Sequence, residues 1–282
     1  MDTEQKFRAV ENLIKEAGKI AYQYFDSGDT SCEQKNDGSV VTEVDKAIET
    51  KLVEYIKVNF PGDSIVGEEH GDHVGDSGFV WHIDPIDGTY NFLRKIPFCA
   101  ISVARLGNTP EDSFGIIHNP ITGQTFSSFL ETEGGVYENE RICKLGAEPL
   151  GGGYILSVGR GREKWMKPVA YKIMEAFGLK YGKGTALGCA ALELAYVAAN
   201  RVDAFLTFGL KSYDYAAGLF LVKAVGGAIS VFENDAWKLW DKNLKELCAE
   251  HNRTIFVSHP DIHQEMLETI GNPLAWKEKL NV

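Results

Sequence analysis

The chain has 282 residues, enough to bury a large hydrophobic core without disulfide or metal crosslinks. Hydrophobic residues make up 44% and charged residues 24%, a composition that excludes collagen-like, disordered and coiled-coil proteins. Lysine and arginine number 29 against 40 aspartate and glutamate residues. The resulting net charge of −11 disfavours a nucleic-acid partner, because binding nucleic acid needs basic residues that contact phosphates.

The sequence predicts a cytoplasmic protein. Its N-terminus lacks the apolar segment of a signal peptide, and no run of about 18 apolar residues occurs, so we expect no membrane partner. The five cysteines are odd in number and widely spaced, and no CxxC pair occurs among them. This pattern predicts reduced thiols rather than disulfides or a zinc site.

Two amphipathic helices are predicted near the N-terminus. Apolar residues recur at three- and four-residue steps over residues 4–26, the pattern of a helix that packs one face on a core. A second helix is predicted to follow Thr42, whose hydroxyl can cap it, and to end near Asn59, just before Pro61 and Gly62.

Residues 64–145 and the residues after 153 differ in pattern. The first range contains short β-like runs separated by turn residues: SIVGEE, FVWHID, FCAISVARL, FGIIH, QTFSSFL and GGVYENERI. The second alternates strand and helix patterns: strand YILSV, helices near 163–178 and 186–199, strand VDAFLTF, a helix over 214–225, strands AISVF and TIFVS, and one closing helix after Pro260. This order predicts an α/β sandwich of two halves that share one cleft.

The boundary between the halves is predicted in the glycine- and proline-rich segment 145–153. We therefore expect an N-terminal α+β half over residues 1–145 and a C-terminal α/β half over residues 146–282.

The segment FVWHIDPIDGTYNF, residues 79–92, is the most informative. An apolar strand ends at Asp84, and Pro85 favours a turn that directs Asp84 and Asp87 toward one point. Gly88 permits close backbone approach, and amides at the start of a helix favour an anion. Carboxylates for a metal beside amides for a phosphate indicate phosphoryl-transfer chemistry, although an Asx turn that caps the next helix is the simpler alternative.

Other carboxylates could join this site. Glu68 and Glu69 end a strand-like run, so one of them is expected to face the cleft and the other the solvent, although a pair of surface residues is the alternative. Asp214 begins a helix rich in small residues, where a helix N-cap is the alternative.

Three motifs occur in the order and spacing of a known family: GEE at 67–69, DPIDGT at 84–89 and D-x-A-A-G at 214–218. The chain resembles the inositol monophosphatase family of magnesium-dependent, lithium-sensitive phosphatases over essentially its full length. The resemblance implies a layered αβαβα sandwich, a homodimer, a small phosphorylated substrate and two or three Mg²⁺ ions per active site.

The resemblance also implies roles for individual residues. The metal ligands would be Glu68, Asp84, the carbonyl of Ile86, Asp87 and Asp214. The catalytic, water-activating pair would be Asp45 and Thr89. The substrate-binding residues would be Gly88, Thr89, Gly184, Thr185, Ala186 and Asp214.

The chemistry of these residues agrees with that assignment. Four carboxylates in one cleft repel one another unless cations balance them, and ligation by oxygen alone favours magnesium over zinc. We expect Thr89 to hydrogen bond to Asp45, to orient a water molecule and to pass its proton to that carboxylate. His70, His73, His82 and His118 are left without a ligand role, so we expect satisfied or exposed histidines.

Two departures from the family concern the approach to the last motif. Tyr213 stands where a tryptophan is usual, and Thr207 stands where members that act on inositol phosphates often carry an acidic residue for sugar hydroxyls. Lys211, Arg160 and Arg162 could instead contact a second phosphate.

The predicted function is a phosphomonoesterase, with inositol monophosphate as the leading substrate. Fructose-1,6-bisphosphatase and 3'-phosphoadenosine 5'-phosphate phosphatase are the alternatives. A relative that binds a metal or a protein without catalysis is a further alternative from a different class.

Overall fold

The computed structural model describes residues 2–28, 31–34, 40–108, 113–129, 135–139, 141–146, 153–159, 161 and 163–282. The helices within these ranges are α1 (Thr3–Ser27), α2 (Glu43–Asn59), α3 (Thr89–Leu93), α4 (Met166–Tyr181), α5 (Ala190–Ala198), α6 (Ser212–Ala224), α7 (Leu244–Cys248), α8 (Pro260–Ile270) and α9 (Pro273–Leu280). None of these helices combines the length and the apolar character needed to cross a membrane.

The strands of the same ranges are β1 (Glu33–Gln34), β2 (Val40–Val41), β3 (Ser64–Gly67), β4 (Val80–Asp87), β5 (Ala100–Leu106), β6 (Phe114–His118), β7 (Thr125–Phe129), β8 (Val136–Glu138), β9 (Arg141–Cys143), β10 (Tyr154–Val158), β11 (Gly182–Thr185), β12 (Ala204–Leu210), β13 (Ala228–Glu233), β14 (Ala236–Leu239) and β15 (Arg253–Ser258).

The longer strands form two mixed sheets. The first has the order β3-β4-β5-β6-β7-β8-β9, in which β3 and β4 are parallel and the other pairs antiparallel. The second has the order β11-β10-β12-β15-β13-β14, with parallel pairing around β10. Strands β1 and β2 pair separately as a short antiparallel ribbon.

One face of the first sheet is covered by α1 and α2. The buried stripe of α1 includes Phe7 and Ile14, that of α2 includes Ile48, and both pack with Trp81 and Phe114 of the sheet. Both helices begin with a capping box, at Asp2 and Thr42, so side chains satisfy amides that the first helical turn leaves unpaired. The predicted N-terminal helices are therefore confirmed.

Helices α5 and α6 form a layer between the two sheets. Their residues pack in one core with side chains of both sheets, among them Phe126 and Phe205. Helix α6 is apolar around most of its circumference, which suits a helix that is buried on nearly all sides. A Cβ on Gly218 of α6 would collide with the side chain of Leu194 of α5, so glycine is required for the helices to approach this closely.

The outer face of the second sheet is covered by α4 and α8. Ile173 and Phe177 of α4 and Met266 of α8 pack on Phe208 and Phe256. The layers are thus helices, sheet, helices, sheet and helices, which confirms the αβαβα sandwich. The two sheets take their strands from residues before 144 and after 153, and residues 147–152 of the predicted boundary lie outside the described ranges.

The structure corrects three local predictions. The strand of SIVGEE ends at Gly67, so both glutamates lie beyond it. The closing segment is two helices, because Gly271 has a φ of 64° and Pro273 starts a new helix. The sequence pattern missed β14, which pairs with β13 through a tight turn.

Candidate active site

The DPIDGT segment lies at the end of β4, near the middle of the protein. The Asp84 Oδ1 atom accepts a hydrogen bond from the Ile86 amide at 3.0 Å, so the Asx turn considered from the sequence is present. The pairing of β4 with β5 shifts register between Asp84 and Asp87, and such a shift redirects side chains. Gly88 follows with a φ of 84° and begins α3 without a side-chain cap.

Asp87 is oriented by the start of α5. Its Oδ2 atom accepts hydrogen bonds from the Ala191 amide at 2.6 Å and from the Cys189 thiol at 3.2 Å. A Cβ on Gly88 would lie 3.1 Å from the Cys189 Cβ and 3.2 Å from the Gly188 carbonyl oxygen. The turn therefore needs glycine both for its backbone angle and because the Gly188–Cys189 backbone lies against it.

Glu68 is placed by its own backbone and by a buried glutamate that the sequence analysis missed. The Glu68 amide donates to the Ile83 carbonyl at 3.3 Å, which puts Glu68 beside Asp84. The Glu49 carboxylate, fully buried on α2, accepts from the amides of Glu69 and His70, each at 2.8 Å. A signal for this role exists in the sequence, since Glu49 directly follows Ile48 in the apolar stripe of its helix.

Asp45 and Thr89 do not form the predicted hydrogen bond. Asp45 Oδ2 accepts from the amide of Thr42 at 2.8 Å and from the Thr42 hydroxyl, completing the capping box of α2. The Thr89 hydroxyl donates to the Ile86 carbonyl at 3.1 Å. Both local partners lie three residues away in sequence, so each side chain satisfies its hydrogen bond within its own turn.

Asp214 lies in the first turn of α6 and is buried. Its Oδ2 atom accepts from the Lys211 amide at 2.8 Å, so the helix-capping alternative describes a real contact. Strand β5 approaches the same turn, where the Ser102 hydroxyl donates to the Tyr213 carbonyl at 3.5 Å. Because Ser102 pairs with Asp84 across the sheet, Asp214 is brought to the end of β4 that carries the other aspartates.

The electrostatics of the site disfavour the ionised form of its buried carboxyl groups. The pKa of Asp84 is raised well above its usual range, chiefly by burial and then by the charges of Glu68, Asp87, Asp214 and Asp45. Burial, followed by the charge of Asp214, raises the pKa of Asp87 to about 8. Burial also raises the pKa of Asp45 to about 7, against the lowering effect of the Thr42 hydrogen bonds.

These acidic residues fit Mg²⁺ by the chemistry of their donors. Their side chains offer only oxygen, which hard divalent cations prefer, and they are near enough to raise one another's pKa. Across the described ranges, no group of three or more Asp, Glu, His or Cys side chains is placed so that it could hold a metal ion. The individual metal ligands therefore stay predictions.

Comparison with known proteins identifies the family. The sequence profile of the inositol monophosphatase family matches residues 2–272. The chain belongs to the inositol monophosphatase family. Members of this family generally depend on Mg²⁺, and the match supports a phosphatase.

Relatives and solved structures agree with this membership. The chain is 32% identical to an inositol-1-monophosphatase of Bacillus subtilis over 258 residues, 90% of this chain and 92% of that protein. It is 33% identical to the Nus factor SuhB of Salmonella typhimurium over 221 residues, 77% of this chain and 82% of that protein. The structure of an IMPase from Thermotoga maritima superposes with a TM-score of 0.80 at 26% identity, covering 98% of this chain and 99% of that one.

In this inositol monophosphatase family member, one group of predicted substrate-binding residues lies apart from the Gly88 turn: Gly184, Thr185 and Ala186. Gly184 and Thr185 form the end of edge strand β11, where Thr185 pairs with Ser157. A Cβ on Gly184 would meet Met174 of α4 at 2.8 Å. Residues 182–185 are thus tied to the second sheet and α4, and Ala186 follows them.

A second triplet, Gly188, Cys189 and Ala190, lies against the Gly88 turn, and which residues bind the substrate stays a prediction. The segment GTALGCA contains two Gly-x-Ala triplets four residues apart, and the structure brings the second one to the Gly88 turn. Asn91 holds the loop before it, because its amide donates to the Leu187 carbonyl at 2.9 Å. The second triplet was the sequence signal for the segment at the Gly88 turn. The sequence does not distinguish it from the first triplet, whereas the packing of α5 against β4 does.

Thr207 is buried on β12, and its hydroxyl has no hydrogen-bond partner among the described residues. A Cβ on the neighbouring Gly159 would lie 2.6 Å from the Thr207 Oγ1 atom. Arg160 and Arg162, proposed from the sequence to contact a second phosphate, lie outside the described residues. Thr207, which the sequence analysis compares with an acidic residue of other inositol monophosphatase family members, therefore presents a small, buried hydroxyl.

The histidines are satisfied or exposed, as predicted. His82 Nδ1 is hydrogen bonded to the Ser212 hydroxyl at 3.0 Å, and His118 Nδ1 to the Thr125 hydroxyl at 2.9 Å. Burial lowers the pKa of His82 to about 3 and that of His118 to about 4, so both are neutral at pH 7. His70 contacts Thr50, and His73 is exposed.

Proposed function

We propose that the chain is a Mg²⁺-dependent phosphomonoesterase that releases inorganic phosphate from a small polyol or sugar phosphate, with inositol monophosphate as the leading substrate. The observation that supports this most strongly is the raised pKa of Asp84, which results from burial and from the charges of four neighbouring carboxylates. A group of buried carboxylates needs a cation to remain ionised together, and a phosphate ester is a ligand that the same cation can hold.

In this proposal, the Mg²⁺ ligands are Glu68, Asp84, the carbonyl of Ile86, Asp87 and Asp214. Two or three Mg²⁺ ions, when bound, would neutralise the phosphate, activate water and stabilise the leaving oxygen. The chain orients the ligands in advance. Asp84, Asp87 and Asp214 each accept a hydrogen bond from an amide through one carboxylate oxygen, which fixes the orientation of each carboxylate.

The remaining steps belong to residues of the turn and of α2. The amides of Gly88 and Thr89 lie at the start of α3, where backbone donors favour the phosphate oxygens. Asp45 is the proposed acceptor of the proton from water, because its pKa of about 7 suits proton transfer near neutral pH. Thr89 would relay that proton if its hydroxyl turned from the Ile86 carbonyl toward Asp45, for a combined effect of ~10²- to 10⁴-fold.

The substrate can be assigned with a panel of phosphate esters. Inositol 1-phosphate, fructose 1,6-bisphosphate and 3'-phosphoadenosine 5'-phosphate would each be incubated with Mg²⁺ and, separately, with EDTA. We expect Mg²⁺-dependent phosphate release, greatest with inositol 1-phosphate. Preference for a bisphosphorylated compound would refute the leading substrate and favour the alternative, in which Lys211 contacts a second phosphate.

A second candidate follows from the relatives that carry the name Nus factor. In this alternative the chain keeps the fold and binds another macromolecule without catalysis, and the prediction that nucleic acid is no partner stays untested. Asp84→Asn separates the two candidates, because it removes one charge at the centre of the site with little change of shape. Mg²⁺-dependent turnover that is lost in this variant supports the enzyme, whereas full activity in the variant would refute the proposed site.

The family also implies a homodimer and inhibition by lithium, which we include in the proposal. Sedimentation measures the first, and phosphate release at rising Li⁺ with Na⁺ as the control measures the second. A monomer, or equal effects of the two ions, would contradict the respective expectation.

A further inference from the structure

A buried hydrogen bond joins the two elements that carry Asp84 and Asp214. His82 lies on β4 two residues before Asp84, and Ser212 opens α6 two residues before Asp214. The His82 Nδ1 atom and the Ser212 hydroxyl are 3.0 Å apart, and the two residues are 2% and 0% exposed. We call this bond the latch.

The geometry of β4 and α6 places the latch close to the candidate site. Residues two apart on a strand point to the same face, so His82 and Asp84 lie side by side on β4. In α6, Asp214 accepts from the Lys211 amide, the residue immediately before Ser212. A movement of the first turn of α6 away from His82 would therefore carry Asp214 away from Asp84.

The first turn of α6 is held from its other side as well. The Ser212 amide, one of the donors that a helix start leaves unpaired, donates to the Nδ1 atom of His251 at 3.3 Å. The rings of His251 and Tyr213 lie 6.4 Å apart. Ser212 is thus fixed through its backbone by the segment before β15 and through its side chain by β4.

We propose that His82 and Ser212 are positioning residues whose latch sets the separation of the Asp84 and Asp214 carboxylates. This inference rests on the proposed function, since it assigns the two carboxylates to one metal site. Neither latch residue touches the metal or the substrate. The latch is expected to affect Mg²⁺ affinity, because residues that orient metal ligands typically contribute 10- to 100-fold to affinity or activity.

The chain offers a matched control for the loss of a buried serine–histidine hydrogen bond. Ser230 on β13 and His263 on α8 are joined through the serine hydroxyl and the imidazole Nε2 at 2.8 Å, and they are 1% and 5% exposed. Neither residue belongs to the proposed site. Ser230→Ala therefore removes a buried serine–histidine hydrogen bond, as Ser212→Ala does, without affecting the spacing of Asp84 and Asp214, and His263 keeps its Nδ1 bond to the Ser258 hydroxyl.

The test is calorimetric titration of the full chain with Mg²⁺ in the absence of substrate. Ser212→Ala and His82→Leu should each raise the Mg²⁺ dissociation constant about 10- to 100-fold, whereas Ser230→Ala should leave it within about twofold. The double variant should be no weaker than the weaker single variant, because both changes break one bond. His82→Asn should recover part of the affinity, since an amide can occupy the position of Nδ1.

Phosphate release at saturating Mg²⁺ gives a second measurement, in which Ser212→Ala should recover most of its turnover. Circular dichroism shows whether each variant is folded, and the His82→Asn and His82→Leu pair supplies the comparison if Ser212→Ala does not fold. Unchanged Mg²⁺ affinity in both latch variants, or an equal loss in Ser230→Ala, would overturn the inference. A wild-type chain that binds Mg²⁺ but hydrolyses no ester refutes only the proposed function, and one that binds no Mg²⁺ refutes both.

Discussion

Without Mg²⁺, the protein should lose stability as the pH rises from 6.5 to 8. The pKa values of Asp45 and Asp87 are raised to about 7 and about 8 in the folded protein, whereas both groups titrate near pH 4 when unfolded. Between those values the folded state binds more protons than the unfolded state, so stability decreases with pH. Three buried histidines, His82, His118 and His263, oppose this trend in part, by ~1 kcal/mol in total, because they are neutral in the folded protein but still half protonated at pH 6.5 when unfolded.

The expected loss can be worked out from these pKa values. One group that is protonated only in the folded state changes the free energy of unfolding by about 1.4 kcal/mol per pH unit. Over the window from 6.5 to 8, Asp45 and Asp87 together should lower the free energy of unfolding by ~2 kcal/mol. Added Mg²⁺ should offset this loss, and more strongly at pH 8, where protons compete less for the carboxylates.

Urea unfolding in EDTA at pH 6.5 and 8, repeated with Mg²⁺, measures both effects. The matched variant is Asp87→Asn, whose amide oxygen can still accept from the Ala191 amide and the Cys189 thiol. It should lose about half or more of the pH dependence and most of the stabilisation by Mg²⁺. A wild-type protein equally stable at both pH values in EDTA, or a variant that keeps the full decrease, would refute the raised pKa values of Asp45 and Asp87.

Three further changes test other parts of the structure. Gly67→Ala should reduce Mg²⁺-dependent activity at least tenfold in a phosphate-release assay, because the added Cβ collides with the Glu49 carboxylate that holds the following loop; wild-type activity would show that this loop adapts. Thr207→Val should leave the free energy of unfolding unchanged or raise it by ~1 kcal/mol, since the buried hydroxyl has no partner, and a loss above ~2 kcal/mol in urea would contradict that reading. Burial lowers the pKa of His263 to about 4, so its contribution to stability is full above pH 6.5 and is lost toward pH 4. From pH 6.5 to pH 4, the free energy of unfolding should therefore decrease by ~3 kcal/mol less in His263→Gln than in the wild type. Equal decreases in the two proteins would contradict this prediction.

Most helices, most strands and the central turn follow from local sequence. The apolar periodicity of α1 and α2 and the cap at Thr42 depend on neighbours within a few residues, so the pattern predicts them directly. The DPIDGT segment is similar, since Asp84 bonds to the Ile86 amide and Gly88 takes a positive φ. The break at Gly271 is local as well, since Asn272 caps the helix that starts at Pro273, but the sequence analysis did not predict it.

The contacts across the site were decided by the tertiary structure. The segment GTALGCA contains two Gly-x-Ala triplets, and the one at Gly188 reaches the site because α5 packs its start against the Gly88 turn. Glu49 holds the loop that carries Glu68 from 20 residues away in sequence, and His82 bonds to Ser212 across 130 residues. Periodicity and spacing report which face a residue occupies, but not which distant residue meets it there, because that depends on how the layers stack. The sequence alone therefore indicated the family, the layers and the candidate acidic residues of the site, and the stacking of α5 and α6 between the sheets determined which partners hold those residues in place.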